Sequence, residues 1–373
     1  MTPARLSERR PLWPAVKQYL LVFDGPLALI VFLILSVGIL TMYSAGYDAP
    51  GRIEGHLRNT LIAFVVMWVA ATIPPQTLMR FAVPIYATGV ALLVAVAMFG
   101  IVKKGARRWI DIGIVIQPSE ILKIALPLML AWYFQKREEA IRLYDFAVAA
   151  VIMLVPIGLI MRQPDLGTSL MVGAAGFSVI FFAGLPWKIL FGLIGIGLAS
   201  LPVAWSMMHD YQRGRVMMLL DPTIDPLGRG FHIIQSTIAI GSGGVTGKGW
   251  MNGTQTHLEF IPERTTDFIF AVYSEEFGLV GNGLLLVLYL FLIGRCLLIA
   301  ANAQTLFSRL MASAITAIFF TYVFVNMGMV SGILPVVGVP LPFISYGGTA
   351  FVTLGLGVGI LMSIQRHRKL IQS

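Results

Sequence analysis

The chain has 373 residues, of which 57% are hydrophobic and only 12% charged, against roughly a quarter charged in an ordinary soluble domain. A soluble fold could not hide that much apolar surface, and no nucleic-acid partner is expected in spite of a net charge of +9. The one cysteine, Cys296, permits no intrachain disulfide.

About 25 residues precede the first apolar run, which is too long for a signal-peptide core and is followed by others, so it is expected to stay in the mature chain. Runs able to cross about 30 Å of hydrocarbon fall at Leu27 to Ala45, Leu57 to Ile73, Phe81 to Ile101, Pro118 to Phe134 and Phe146 to Met161. They continue at Gly167 to Ala183, Ile189 to Met207, Phe268 to Gly294, Leu310 to Val330 and Ala350 to Ile364. The expected architecture is an all-α integral membrane protein of about ten transmembrane helices, one polytopic domain over residues 1–373.

Arg5, Arg9, Arg10 and Lys17 before the first span, and Arg366, Arg368 and Lys369 after the last, place both termini in the cytoplasm by the positive-inside rule. Lys136, Arg137, Arg142, Lys188, Arg295 and Arg309 then also fall inside, in short connections where that rule holds best. Three segments remain outside: Val102 to Gln117, a large extracytoplasmic loop over 208–266 between the seventh and eighth spans, and Ser331 to Gly347. A loop of the middle segment's length is usually functional.

Lys103, Lys104, Arg107, Arg108, Arg162, Arg213, Arg215, Arg229, Lys248 and Arg264 lie outside against the topological bias. Attraction to anionic headgroups is the plain reading. The sharper one is an anionic substrate: a phosphate or pyrophosphate calls for such cations beside glycine-rich backbone such as Gly241-Ser242-Gly243-Gly244 and Gly247-Lys248-Gly249.

Four stretches carry chemistry. In Gln117 to Lys123, Glu120 and Lys123 are three residues apart and share a helix face, either as an ion pair that only fixes packing or as polar groups of a cavity open to the outer leaflet. In Arg162-Gln163-Pro164-Asp165-Leu166-Gly167, proline and glycine set a tight turn and Asp165 is placed to cap the next helix. Leu258 to Phe270 closes the long loop and opens the eighth span. Capping alone would explain Asp267 there, with Thr265 or Thr266 as rival caps, but at the water–membrane boundary beside Arg264 a carboxylate is also placed to accept a hydroxyl proton. Glu275 and Glu276 follow in the same apolar run, and at least one should turn into the bundle. In Gly332 to Gly348, Pro335, Pro340 and Pro342 rule out a continuous helix. Irregular apolar backbone at membrane depth survives only buried in protein or lining a cavity, so this segment is expected to form a re-entrant wall.

These stretches, in this order on a ten-span chain, resemble the shape, elongation, division and sporulation family, the polytopic polymerases of bacterial cell-wall peptidoglycan. Arg108-Trp109-Ile110-Asp111-Ile112-Gly113, Gln117 to Lys123, Leu258 to Arg264 and Ile333 to Pro342 are most similar to its elongation branch. The resemblance implies a peptidoglycan glycosyltransferase of the bacterial inner membrane, acting on lipid II at the outer face and releasing undecaprenyl pyrophosphate. It implies that Asp267 is the catalytic base, that Glu120, Lys123, Arg108 and Asp165 belong to the substrate cavity, and that Arg213, Arg215, Lys248 and Arg264 are candidates for the pyrophosphate. A class B penicillin-binding protein, other elongation-complex proteins and membrane lipids are the implied partners. The metal requirement is open, a divalent cation included. One position departs from the family pattern: Thr265 stands where a histidine usually precedes Thr-Asp, with His257 and His232 as the candidates to stand in for it. A lipid II flippase, or a non-catalytic scaffold for the penicillin-binding protein, are the alternative readings.

Overall fold

The computed structural model describes residues 22–371 apart from 104–105, 112–114, 209, 227, 229, 259 and 262. Arg5, Arg9, Arg10, Lys17, Lys104, Arg229 and Glu259 therefore lie outside the described residues, as do the side chains of Lys103, Arg215 and Lys369.

The long helices are α1 (Gly25–Ala45), α2 (Arg52–Thr72), α4 (Ala82–Phe99), α5 (Pro118–Lys136), α6 (Leu143–Met161), α7 (Leu166–Phe182), α8 (Trp187–Met207), α12 (Ile269–Ala301), α13 (Leu306–Val330) and α14 (Gly348–Ile371), with the short α3 (Pro75–Arg80) before α4. Seven of them, α1, α4, α6, α8, α12, α13 and α14, are long and apolar enough to cross a membrane. The other three, α2, α5 and α7, are either charged at one end or short, which is why hydropathy alone passes over them. Local chemistry sets their starts. Asp24 accepts from the Leu27 amide at 3.0 Å, Asp165 from Thr168 at 3.1 Å, and Thr305 from Ser308 at 3.1 Å, each satisfying an orphan amide of a first turn. Pro118 opens α5 where its missing N–H costs nothing.

Lipid tails are as apolar as leucine, so helices associate in a membrane through close packing rather than through hydrophobic expulsion. The pair α2 and α14 illustrates this. Gly355 and Gly359 face α2, and a Cβ there would come within 2.6 Å and 2.4 Å of the Ala63 and Met67 carbonyl oxygens. At the end opposite the site described below, Arg295 of α12 donates to Asp24 at 2.9 Å and 2.5 Å, pinning α1 to α12. By contrast α8 has no buried residue, and Ile189 and Leu190 near its start pack against the core.

Three features depart from the sequence reading. In the first outer segment, β1 (Ile101–Lys103), β2 (Ala106–Asp111) and β3 (Val115–Ile116) form a three-stranded antiparallel sheet that was not expected. The long loop holds helices of its own: α9 (Asp210–Leu220), α10 (Phe231–Gly243) and the single turn α11 (Thr254–His257). And α12 is broken at Gly278, where φ is +64° and ψ −160°.

That break frees backbone groups which the glycine-rich segment 244–249 takes up. The Lys248 and Gly249 amides donate to the Glu275 and Glu276 carbonyls, each at 3.0 Å, and the Leu279 and Val280 amides donate to Gly244 and Val245 at 2.9 Å and 3.0 Å. The glycine-rich amides expected near an anion thus splint a helix instead, as backbone at membrane depth requires. A Cβ at Gly278 would lie 2.3 Å from the Gly247 nitrogen, in a backbone region that only glycine adopts readily. Gly278→Ala is expected to lose at least about 1–3 kcal/mol from backbone strain alone, read as a lowered unfolding midpoint in detergent.

Candidate active site

One end of the bundle gathers every stretch singled out in the sequence. The segment from Ser331 to Gly347 has no helix or strand, and Val339, Leu341, Phe343 and Ile344 within it are at most 3% exposed. From Val339 to Ser345 it is a wall largely buried in protein, whereas Ile333 and Gly338 before it are exposed. Its irregular backbone is tied down by polar groups: Tyr289 donates to the Pro342 carbonyl at 2.7 Å, the Leu341 amide to Ser345 Oγ at 2.7 Å, and the Tyr346 amide to the Thr265 carbonyl at 2.8 Å. The last bond joins the wall to the turn that carries Asp267.

Asp267 lies in a turn over 263–268, before α12 begins at Ile269. The N-cap residue of α12 is Phe268, whose side chain makes no capping hydrogen bond. Asp267 stands one residue before that position and is not itself the N-cap residue. Its Oδ2 lies against Gly338 of the wall: a Cβ there would sit 3.3 Å from that oxygen, and Gly338 has φ +73°. On the other side, Asn326 of α13 donates to the Asp267 carbonyl at 2.9 Å and to the Val339 carbonyl at 2.7 Å. The His232 ring stacks on Phe268 at 5.5 Å, and burial pushes its imidazole below the ordinary histidine value, so it is neutral at pH 7. His257 instead stacks on Tyr47 at 4.5 Å.

Next to the wall, the first turn of α7 approaches so closely that a Cβ at Gly167 would be 2.8 Å from the Val337 carbonyl oxygen. Asp165, which caps that turn, also receives Gln117 Nε2 at 3.2 Å and faces Arg108 Nη1 at 3.7 Å. Arg108 itself donates to the Gln163 carbonyl at 3.1 Å and to that of Pro164. The small sheet is thereby fastened to the α6–α7 turn, and the cap role of Asp165 is met.

Beyond Gln117, Lys123 Nζ lies 2.6 Å from Glu120 Oε1 and 2.5 Å from the Tyr322 hydroxyl, with Thr353 Oγ1 3.5 Å from the other Glu120 oxygen. The Lys123 side chain is 4% exposed and that of Glu120 12%. Glu120 borders a cavity of about 510 Å³ between α2, α5 and α14, with Asn59, Gln117, Thr349 and Thr353 as its other polar lining. The pair is thus an interior salt bridge whose carboxylate also lines the cavity.

Of the remaining basic candidates, Arg264, Lys248 and Arg213 are engaged with the protein. Arg264 bonds Asp48 and the Ala45 carbonyl, the latter at 2.9 Å, and lies over the Tyr47 ring. Lys248 Nζ bonds Glu275 and Thr254, both at 2.7 Å. Arg213 of α9 donates to the Trp205 and Ser206 carbonyls at 3.0 Å and 2.7 Å, answering the last turn of α8. Arg215 shares α9. Both Glu275 and Glu276 turn inward, at 0% and 1% exposure, the second bonded to Ser44 at the end of α1. Among the described residues no group of three or more His, Cys, Asp or Glu side chains is arranged to hold a metal ion.

Sequence reasoning passed over Tyr322 and Asn326. The signal was present: they are four residues apart, hence on one face of α13, and are polar in an apolar helix. One reaches Lys123 and the other Asp267, so a single helix face links the two clusters.

Comparison with known proteins points to one family. The model of the cell cycle protein family that takes in FtsW, RodA and SpoVE matches residues 22–370. The peptidoglycan glycosyltransferase MrdB of Escherichia coli K12 is 51% identical over 350 residues, 93% of this chain and 95% of that protein. A solved chain from work on structural coordination of polymerization and crosslinking by a peptidoglycan synthase complex superposes with a TM-score of 0.81 at 35% identity, covering 93% of this chain and 98% of that one. The rod shape determining protein RodA of Thermus thermophilus gives 0.70 at 30% identity, covering 93% and 97%. With a family match spanning nearly its whole length, this multi-pass helical membrane protein belongs to the FtsW, RodA and SpoVE family.

Proposed function

We propose that the chain is a peptidoglycan glycosyltransferase of the bacterial inner membrane that polymerises lipid II during elongation, with Asp267 as general base. The observation that carries this reading is the placement of Asp267 against the Gly338 turn of the wall, outside the capping position of α12. α1, α2, α4–α8 and α12–α14 are the ten spans, both termini are cytoplasmic, and the wall end faces outward.

The acceptor is a sugar hydroxyl, which attacks the anomeric carbon of a second lipid-linked sugar. The new C–O bond forms as the bond to pyrophosphate breaks, and Asp267 takes the hydroxyl proton. One base and inversion suffice, without a covalent enzyme intermediate. Departing pyrophosphate gains from cations. Arg213, Arg215, Lys248 and Arg264 are the candidates, and Lys248 has one ammonium proton left beyond its bonds to Glu275 and Thr254. Arg108, Asp165, Glu120 and Lys123 are assigned to the substrate cavity, and a class B penicillin-binding protein to the outer face and neighbouring lipid as crosslinking partner.

Gly338→Ala presses a methyl group onto Asp267 Oδ2 and strains a left-handed backbone, at about 1–2 kcal/mol. It is expected to slow polymerisation about tenfold with the protein still folded, and an unchanged rate would separate Gly338 from the chemistry.

The cavity beside Glu120 and Lys123 also suits lipid translocation, and that observation alone favours the flippase reading. Purified protein, with and without its partner, distinguishes the two when given lipid II: glycan polymer resolved on a gel supports the transferase. Movement of labelled lipid II across sealed vesicles with no polymer formed supports the flippase.

A further inference from the structure

We infer that Asn326 is a positioning residue for this transfer: its side-chain amide clamps the Asp267 backbone to the wall and so fixes the carboxylate against Gly338. The inference rests on the assignment of Asp267 as base.

Asn326 is on α13 and fully buried. Its Nδ2 donates both protons, at 2.9 Å to the Asp267 carbonyl and at 2.7 Å to the Val339 carbonyl. These are carbonyls that regular structure leaves over. The Ala271 amide bonds Phe268, at 3.0 Å, so the ladder of α12 begins one residue past Asp267, and Val339 is in a segment without helix or strand. A carboxamide is the short neutral group that offers two protons from one atom. Its other end points the same way: among the described residues Asn326 Oδ1 is buried with no hydrogen-bond partner, so this side chain is engaged through its donors alone. Two segments far apart in the chain, the turn at Asp267 and the wall at Val339, thus share one fork. Gly338, against which the carboxylate lies, is the neighbour of Val339. Loosening the fork separates Asp267 from the surface that places it, and a displacement of about 1 Å is enough to cost on the order of a hundredfold in rate.

The test is steady-state polymerisation by the full chain with its partner, varying lipid II and normalising to folded protein. Asn326→Leu, which removes both donors, is expected to lower kcat about ten- to a hundredfold with KM within about threefold. Asn326→Gln, which keeps the amide one methylene farther out, should recover part of that loss. Ser236→Ala is the control, since it removes another buried hydrogen bond to α13, from Ser236 to the Val330 carbonyl at 2.9 Å, and touches neither Asp267 nor the wall. It should leave kcat within about threefold. In an Asp267→Asn background, Asn326→Gln should add no further loss. Native kcat in both Asn326 variants, or an equal fall in Ser236→Ala, overturns the clamp. If the leucine variant does not fold, the glutamine variant decides on the same criteria. Asp267→Asn polymerising at the native rate sinks the base and the clamp together, whereas an inactive Asp267→Asn beside native Asn326 variants removes the clamp alone.

Discussion

Lys123→Met is expected to cost about 3–5 kcal/mol of stability, because it strips the interior Glu120 carboxylate of its cation. The Glu120 side chain is 12% exposed, and the 2.6 Å contact with Lys123 is its closest charge-bearing partner. Little water reaches it to replace the ammonium. Glu120→Gln with Lys123→Met removes both charges and should regain most of the loss, since an interior ion pair contributes little over a neutral pair of similar volume. Tyr322→Phe removes only the 2.5 Å bond from Lys123 and should cost about 1 kcal/mol. Unfolding midpoints in detergent for the four proteins measure this. A Lys123→Met midpoint equal to that of the native chain, or a double variant less stable than the single one, contradicts the account of the cavity wall.

Much of this end of the molecule was legible from residue order. The Glu120–Lys123 spacing announced a pair because both the helix and its period are local. Proline content announced the wall for the same reason, since three prolines exclude a helix whatever surrounds them. The Asp165 cap followed from turn chemistry. What the sequence concealed depends on distant partners. Arg264 looked available for an anion until Asp48 and the Ala45 carbonyl were brought beside it by the end of α1. Gly278 resembled the other glycines of an apolar run, and nothing near it in sequence announced that segment 244–249 would splint a break there. The sheet of β1, β2 and β3 was hidden by the shortness of its strands, two of which have three residues or fewer. Asn326 and Tyr322 carried a readable signal, polar groups one turn apart in hydrocarbon, but not what they would touch.

Asp267 separates the transferase from its rivals. A scaffold needs it only as a helix cap, and the cap position belongs to Phe268. A flippase forms no glycosidic bond and so needs no base for a sugar hydroxyl. The transferase needs it because a sugar hydroxyl is a poor nucleophile until a base begins to take its proton, a contribution typically worth two to four orders of magnitude in rate. Asparagine has nearly the same shape and leaves the backbone bond to Asn326 in place, so Asp267→Asn tests the basic oxygen rather than the fold. Lipid II binding by the variant should persist, because charge development in the transition state is what is lost.

The decisive measurement is the rate of glycan polymer formation from lipid II by Asp267→Asn, with its partner present and unfolding midpoint matched to the native protein. The predicted result is a fall of about a hundred- to ten-thousandfold in kcat with lipid II still bound; a rate within about tenfold of native in the folded variant would contradict the assignment of Asp267 as the base.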